Sequence, residues 1–198
     1  VVLMPFVISS LAVEDFGKAS QALYIGNLCI LIVVFGIDEA LAKRASHSKA
    51  DYGHLLTNGY LLLFCTSSFF VLSGYFLSDV LYDYFISNLN PRDRYISIFI
   101  VAFSPIVISA LKILRVTGTY ASFARLTLIQ VAVQSASIIT FVVWFDGGIT
   151  GYLGSYLLAL TASLLYVFAI QSTQISVKYV SATSVFDLLS YGAKIAPH

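Results

Sequence analysis

The sequence predicts an all-α protein that crosses a membrane several times. Of its 198 residues, 59% are hydrophobic and only 11% are charged, and the mean hydropathy is +0.88. A soluble domain has about 25% charged residues, so this chain has too little polar surface to cover a water-soluble globule. Five long apolar runs contain no Asp, Glu, Lys, Arg or His. The runs do not alternate polar and apolar residues as the strands of a membrane barrel would.

The positions of these runs set the predicted helices. Crossing the hydrocarbon takes about 20 helical residues, with roughly 17 to 25 observed. We predict spanning helices at about 19–37, 55–77, 95–114, 123–145 and 149–171. The apolar stretch at 1–13 is too short to span, and we expect it to be the second half of a truncated first helix. The predicted bundle therefore has six helices within residues 1–171. We number them in chain order, so the truncated helix at 1–13 is the first and the helix at 123–145 is the fifth.

The last residues predict a linker and the beginning of another helix. Residues 172–183 are predicted to be a cytoplasmic linker. Ser184 and Asp187, just before Leu188, have the spacing of a helix N-cap and its capping-box partner. We therefore expect a seventh helix to begin at residue 184 and to be cut short at residue 198.

The basic residues alternate from loop to loop and predict the orientation. On one side of the predicted bundle lie eight of the 11 Lys and Arg residues, namely Lys43, Arg44, Lys49, Lys112, Arg115, Arg125, Lys178 and Lys194. The other side has Lys18, Arg92 and Arg94 together with several acidic residues. Loops rich in Lys and Arg stay in the cytoplasm, so the truncated N-terminus and the tail are both predicted to be cytoplasmic.

Four polar residues recur at spacings of three and four within the fifth predicted helix, so they share one face. They are Thr127, Gln130, Gln134 and Ser137. Polar side chains in a membrane either join helices through hydrogen bonds or line a hydrated cavity. Both interpretations are open from the sequence: helix packing, or a hydrophilic path for a polar substrate.

Three basic residues flank the connection between the fourth and fifth predicted helices. Lys112 and Arg115 end the fourth helix, and Arg125 begins the fifth. One interpretation is that they reach the water interface and anchor the helices. The other is that some of them bind an anionic headgroup such as a pyrophosphate, whose oxygens suit the geometry of Arg.

Two acidic residues, Asp38 and Glu39, end the second predicted helix. Glu39 precedes Lys43 by four residues, a spacing and order that favour a surface ion pair on a helix. The alternative is a role in coupling transport to a proton or a cation.

No feature of the sequence predicts an enzyme, a metal site or a cofactor. His47, His54 and His198 have neither a nucleophile nor a metal-ligand spacing beside them. Cys29 and Cys65 lie singly within apolar runs, as small hydrophobic residues do. The net charge of +1, without a basic stripe, argues against a nucleic-acid partner.

Five short segments resemble, in order, those of one exporter family. They read VEDFGKAS at 13–20, FGIDEAL at 35–41, RVTGTY at 115–120, GGITGYLG at 147–154 and LLSYGAKIAP at 188–197. The first is similar to the family's "eeFG" loop between the first two helices. The chain resembles the Wzx-type flippases of lipid-linked oligosaccharides, in the multidrug/oligosaccharidyl-lipid/polysaccharide exporter superfamily.

The resemblance implies a fold and a function. The fold would be the six-helix N-terminal lobe of a two-lobed exporter, with its first helix truncated and its seventh just beginning. The function would be to flip an undecaprenyl-pyrophosphate-linked oligosaccharide, such as an O-antigen repeat unit, across the bacterial inner membrane by alternating access. The implied partners are this lipid-linked oligosaccharide, membrane lipids and the polysaccharide polymerase machinery.

Two other functions are open from the sequence. The first is a drug or cation antiporter of the same superfamily, which would be expected to hold an ionised carboxylate deep within the helices. The second is a membrane scaffold that transports nothing.

Overall fold

The computed structural model describes residues 11–47, 52–85 and 89–195, and these residues form helices, turns and short connections without a strand. The helices are α1 (Val13–Val34), α2 (Ile37–His47), α3 (Tyr52–Phe85), α4 (Pro91–Val116), α5 (Tyr120–Ile138), α6 (Gly148–Gln171) and α7 (Ala182–Ile195). A π-helical turn at Ile139–Trp144 extends α5, and a 3-10 turn at Val177–Tyr179 precedes α7.

Five of these helices are long and apolar enough to cross a membrane. They are α1, the Tyr52–Phe76 part of α3, α4, α5 with its π-helical turn, and α6. The prediction of an all-α, multi-pass membrane protein is therefore confirmed. Residues 1–10 of the predicted first helix lie outside the described residues.

The centre of the bundle is α4. Within the chain, 67% of its apolar window is buried, against 22% to 44% for the other four spanning helices. It packs against α1, α2, α3, α5 and α6. Pro105 interrupts the backbone hydrogen bonding of α4, and the neighbouring Ser104 hydroxyl donates to the Ile100 carbonyl at 2.7 Å. Pro105 has no backbone N–H to donate to the Val101 carbonyl, and membrane helices tolerate such a gap where neighbouring helices pack around it.

The predicted helix at 19–37 is wrong at both of its ends. The structure begins α1 at Val13, so the segment that resembles the "eeFG" loop is helical. Glu14 and Asp15 lie in its first turn, where negative charge is favourable. Glu14 also forms an ion pair with Lys18 at 2.7 Å, which supports the same turn.

At the other end, the backbone breaks at Phe35 and Gly36, which have φ angles of 41° and 73°. Glycine adopts this left-handed conformation readily. The break turns the chain into α2, whose 11 residues are too few to span a bilayer. A Cβ atom at Gly192 of α7 would lie 3.0 Å from the Phe35 carbonyl oxygen, so α7 packs closely on the break.

The linker between α6 and α7 docks on the start of α3 through Asn58, which is fully buried. The Asn58 amide nitrogen donates to the carbonyls of Tyr179 and His54, both at 2.8 Å. Its amide oxygen accepts from the backbone N–H of Ser181, also at 2.8 Å. Thr57 adds an acceptor for the Ser176 N–H at 3.2 Å.

This docking explains why the predicted beginning of the last helix at Ser184 is wrong. The helix begins at Ala182, and the Val185 N–H already donates to the Ser181 carbonyl at 3.1 Å. Because Asn58 holds Ser181, the chain turns into the helix before Ser184, which lies within the first turn.

Candidate functional site

The ends of α2, α4 and α6 meet the starts of α3 and α5 at one end of the bundle. We call this the basic end, because it carries Lys43, Arg44, Lys112, Arg115 and Arg125. Five of the eight basic residues on the predicted basic side thus lie at the same end of the described bundle. The side chain of Lys49 lies outside the described residues.

Lys112 is the centre of an ion-pair cluster at the basic end. Its ammonium donates to Asp38 Oδ2 and, at 2.5 Å, to Glu39 Oε1. The side chain of Asp38 is 9% exposed and that of Glu39 is 54% exposed. A nearly buried carboxylate needs such a partner, because an uncompensated charge there would be strongly destabilising.

The cluster joins residues that the sequence analysis assigns to different groups. Lys112 is a predicted headgroup ligand, whereas Asp38 and Glu39 are predicted coupling residues. Glu39, whose spacing predicts a pair with Lys43, pairs with Lys112 across two helices. The ammonium of Lys43 lies 5.4 Å from the centre of the Tyr191 ring in α7.

Arg115 and Arg125 stay apart from this cluster. Both are exposed at the basic end. Neither has an ion-pair or hydrogen-bonding side-chain partner within the part of the chain that the structure describes. Their guanidinium groups can therefore bind an anion without breaking an existing pair.

The four residues of the predicted polar face make no hydrogen bond to another helix in the described structure. The Thr127 hydroxyl donates to the Phe123 carbonyl of its own helix at 3.0 Å. Gln130 and Gln134 are partly buried, and Ser137 is buried at 7% exposure. Neither glutamine amide has a partner among the residues of ranges 11–47, 52–85 and 89–195.

Two buried polar contacts are missed by the sequence analysis. One is the contact of Asn58 with Tyr179 and Ser181, which lie more than a hundred residues away and carry no local signal. The other joins Tyr60 and Gln171, whose side chains are almost fully buried. The Tyr60 hydroxyl donates to Gln171 Oε1 at 2.5 Å and thereby ties α3 to the end of α6.

The opposite end of the bundle has its own buried contact. Asp93, only 3% exposed, accepts a hydrogen bond from the Thr150 hydroxyl at 2.6 Å. This contact ties the first turn of α4 to the first turn of α6. The two buried carboxylates of the described residues, Asp38 and Asp93, thus lie at the ends of the bundle rather than in its middle.

Across the described residues, no group of three His, Cys, Asp or Glu could hold a metal ion. Comparisons with protein-family models, with curated proteins and with solved structures gave no match. The functional interpretation therefore depends on the geometry of the chain itself.

Proposed function

We propose that this chain is the six-helix lobe of a transporter that flips an undecaprenyl-pyrophosphate-linked oligosaccharide across the bacterial inner membrane. In this proposal the basic end faces the cytoplasm. The observation that supports the proposal best is a pair of amides on a membrane-spanning helix, Gln130 and Gln134, which have no hydrogen-bond partner among the described residues.

An amide without a hydrogen-bond partner is costly in hydrocarbon, by about 4 to 8 kcal/mol on transfer scales from water to alkane. Polar residues that only join helices would have partners on a neighbouring helix. Because Gln130 and Gln134 have none within the described residues, we propose that water or a polar substrate solvates their face of α5. A sugar headgroup has the same requirement, because its hydroxyls also lose hydrogen bonds when water is removed.

The charges at the basic end suit the other part of this substrate. Arg115 and Arg125 flank the short turn between α4 and α5 and are exposed. A guanidinium group can donate two parallel hydrogen bonds to phosphate oxygens. We propose that these arginines attract the pyrophosphate, while Lys112 remains paired with Asp38 and Glu39.

The test is a flipping assay on the full-length transporter that contains this lobe, reconstituted into liposomes. The probe is an undecaprenyl-pyrophosphate-linked disaccharide with a fluorescent label on its sugar, and the readout is its exposure to a membrane-impermeant reductant. Gln130→Leu with Gln134→Leu should insert normally and slow flipping by about tenfold or more, since each lost hydrogen bond contributes about 1 kcal/mol.

The matched control is Ala132→Leu with Ala136→Leu. It places two leucines at the same spacing of four residues, on the opposite face of α5, where both alanines are exposed. This control should flip the probe at nearly the wild-type rate. Full flipping by the Gln130 and Gln134 double variant would refute the path and favour a packing role. Absence of flipping by the wild-type full-length transporter would refute the proposed substrate.

A further inference from the structure

An open cavity of about 330 Å³ lies at the basic end, with both apolar and polar groups in its lining. It is bordered by the end of α2, the start of α3, the turn from α4 to α5, and the end of α6. Hydroxyl and amide side chains line much of it, including Ser46, Tyr52, Thr117, Ser122, Gln171 and Gln174. The volume is at the lower end of the range for small-molecule sites, which is about 300 to 1,000 Å³.

One side chain of this cavity carries a hydrogen-bond donor without a partner. Gln171 is 2% exposed, and its Nε2 atom has no acceptor within the described structure. Its Oε1 atom already accepts from the Tyr60 hydroxyl, which fixes the orientation of the amide. A buried donor left unsatisfied costs about 1 to 3 kcal/mol, so a ligand acceptor at this point would be stabilised.

The threonines of the turn provide acceptors in the same cavity. The Thr119 hydroxyl donates to the Leu114 carbonyl at 3.0 Å, and that of Thr117 donates to the Ile113 carbonyl at 2.8 Å. The two hydroxyl oxygens also lie 3.2 Å apart, and either can donate to the other. Two protons serve all of these contacts, so lone pairs on the oxygens remain to accept. The cavity thus combines a donor from Gln171 with acceptors from the turn.

The lack of charge in the described lining indicates which chemical class of ligand the cavity suits. None of the described residues that line it is charged. The exposed Arg115 and Arg125 lie beside this lining rather than in it, so the lining itself suits a ligand hydroxyl, which can both donate and accept. The ring of Tyr52 adds a flat apolar surface, which suits the carbon face of a sugar ring.

We propose that this cavity binds one neutral, hydroxyl-rich sugar ring. The further assignment, that the ring belongs to the oligosaccharide headgroup, rests on the proposed function. The cavity is separate from the Gln130 and Gln134 face, and it would hold a sugar at the basic end of the path.

The test uses the full protein in lipid nanodiscs and saturation-transfer NMR. The probes are glucose, galactose and N-acetylglucosamine, with glucose 6-phosphate as the charged comparison. We expect at least one neutral sugar to bind without needing a phosphate group. Binding that requires the phosphate, or no binding of any neutral sugar, would overturn the proposal.

Two adjacent residues in the first turn of α5 provide the decisive variants. Ser122 lines the cavity, whereas Ala121 is exposed and lies outside its lining. Ser122→Leu should fill the cavity and weaken sugar binding by about tenfold or more, and Ala121→Leu should change it less than about twofold. Gln171→Met should also weaken binding about tenfold by removing the donor. Equal binding by both leucine variants would place the sugar elsewhere and overturn the site.

A competition experiment separates this site from the proposed function. If the lipid-linked disaccharide displaces the free sugar, the headgroup assignment is supported. If it does not, that assignment is overturned and the ligand is a free sugar. Sugar binding without flipping would support the sugar site and refute the proposed transport. Flipping that is unchanged by Ser122→Leu, without any sugar binding, would support the transport and refute the sugar site.

Discussion

Asn58→Leu should release the linker between α6 and α7 while leaving the helices assembled. The amide of Asn58 makes three hydrogen bonds of 2.8 Å, two of them to the linker residues Tyr179 and Ser181. Leucine has a similar size but leaves the Ser181 N–H without its acceptor. His54 Nδ1 remains 3.2 Å from the Tyr179 carbonyl oxygen, so that group keeps one neighbour.

The magnitude follows from the groups that lose partners. One unsatisfied backbone donor and one weakened carbonyl contact cost about 2 to 3 kcal/mol together. This energy applies to local opening of the linker, which would become roughly 30- to 150-fold more frequent. Hydrogen exchange measured by mass spectrometry on peptides that cover 176–181 should accelerate by that factor.

Asn27→Leu is the matched control, because Asn27 is an exposed amide on α1. It should leave exchange in the linker unchanged. If Asn58→Leu accelerated exchange no more than Asn27→Leu, the linker would not be held by Asn58. The explanation of why α7 begins at Ala182 would then also be wrong.

Two further substitutions test the packing and the ion pairs. Gly59→Ala would place a Cβ atom 2.2 Å from Leu41 Cδ2, and Leu41 is fully buried. The resulting overpacking should lower the free energy of unfolding by about 1 to 3 kcal/mol, which would lower the Tm measured in detergent. Gly154→Ala, with nothing within 4 Å of the added Cβ, should not lower the Tm, and an equal loss in both variants would contradict the packing. Lys112→Met should destabilise the protein by about 2 to 3 kcal/mol, since the nearly buried Asp38 carboxylate loses its ammonium. Adding Asp38→Asn should recover much of that loss of Tm, and no recovery would show that the carboxylate charge is not the cause.

The five spanning helices can be located from the sequence because hydropathy sums along a continuous run, although the ends of a helix can differ by several residues, as for the one predicted at 19–37. Helix α6 is predicted at 149–171 and is observed at Gly148–Gln171. The break at Phe35 and Gly36 lies within such a run, and the flanking residues Val34 and Ile37 are as apolar as those of a helix interior. Hydropathy carries no information on a left-handed φ angle, so the separate helix α2 could not be predicted.

The contacts of the candidate site depend on residues far apart in the chain. Lys112 and Asp38 are 74 residues apart, and Tyr60 and Gln171 are 111 apart. No local spacing connects such pairs, and only the packing of α2, α3 and α6 around α4 brings them together. The shared face of Gln130 and Gln134, in contrast, follows from helical periodicity within one element.

The most direct test of the central claim is the accessibility to water of the Gln130 face. In a Cys29→Ala and Cys65→Ala background, Gln130→Cys and Leu128→Cys are each treated with a charged methanethiosulfonate reagent on both membrane faces. Leu128 is 67% exposed on the bundle and would face lipid. A thiol reacts as its thiolate, which forms in water rather than in hydrocarbon. We predict modification of Gln130→Cys about tenfold faster than that of Leu128→Cys or more. Equal or slower modification at position 130 would contradict a hydrated path along α5.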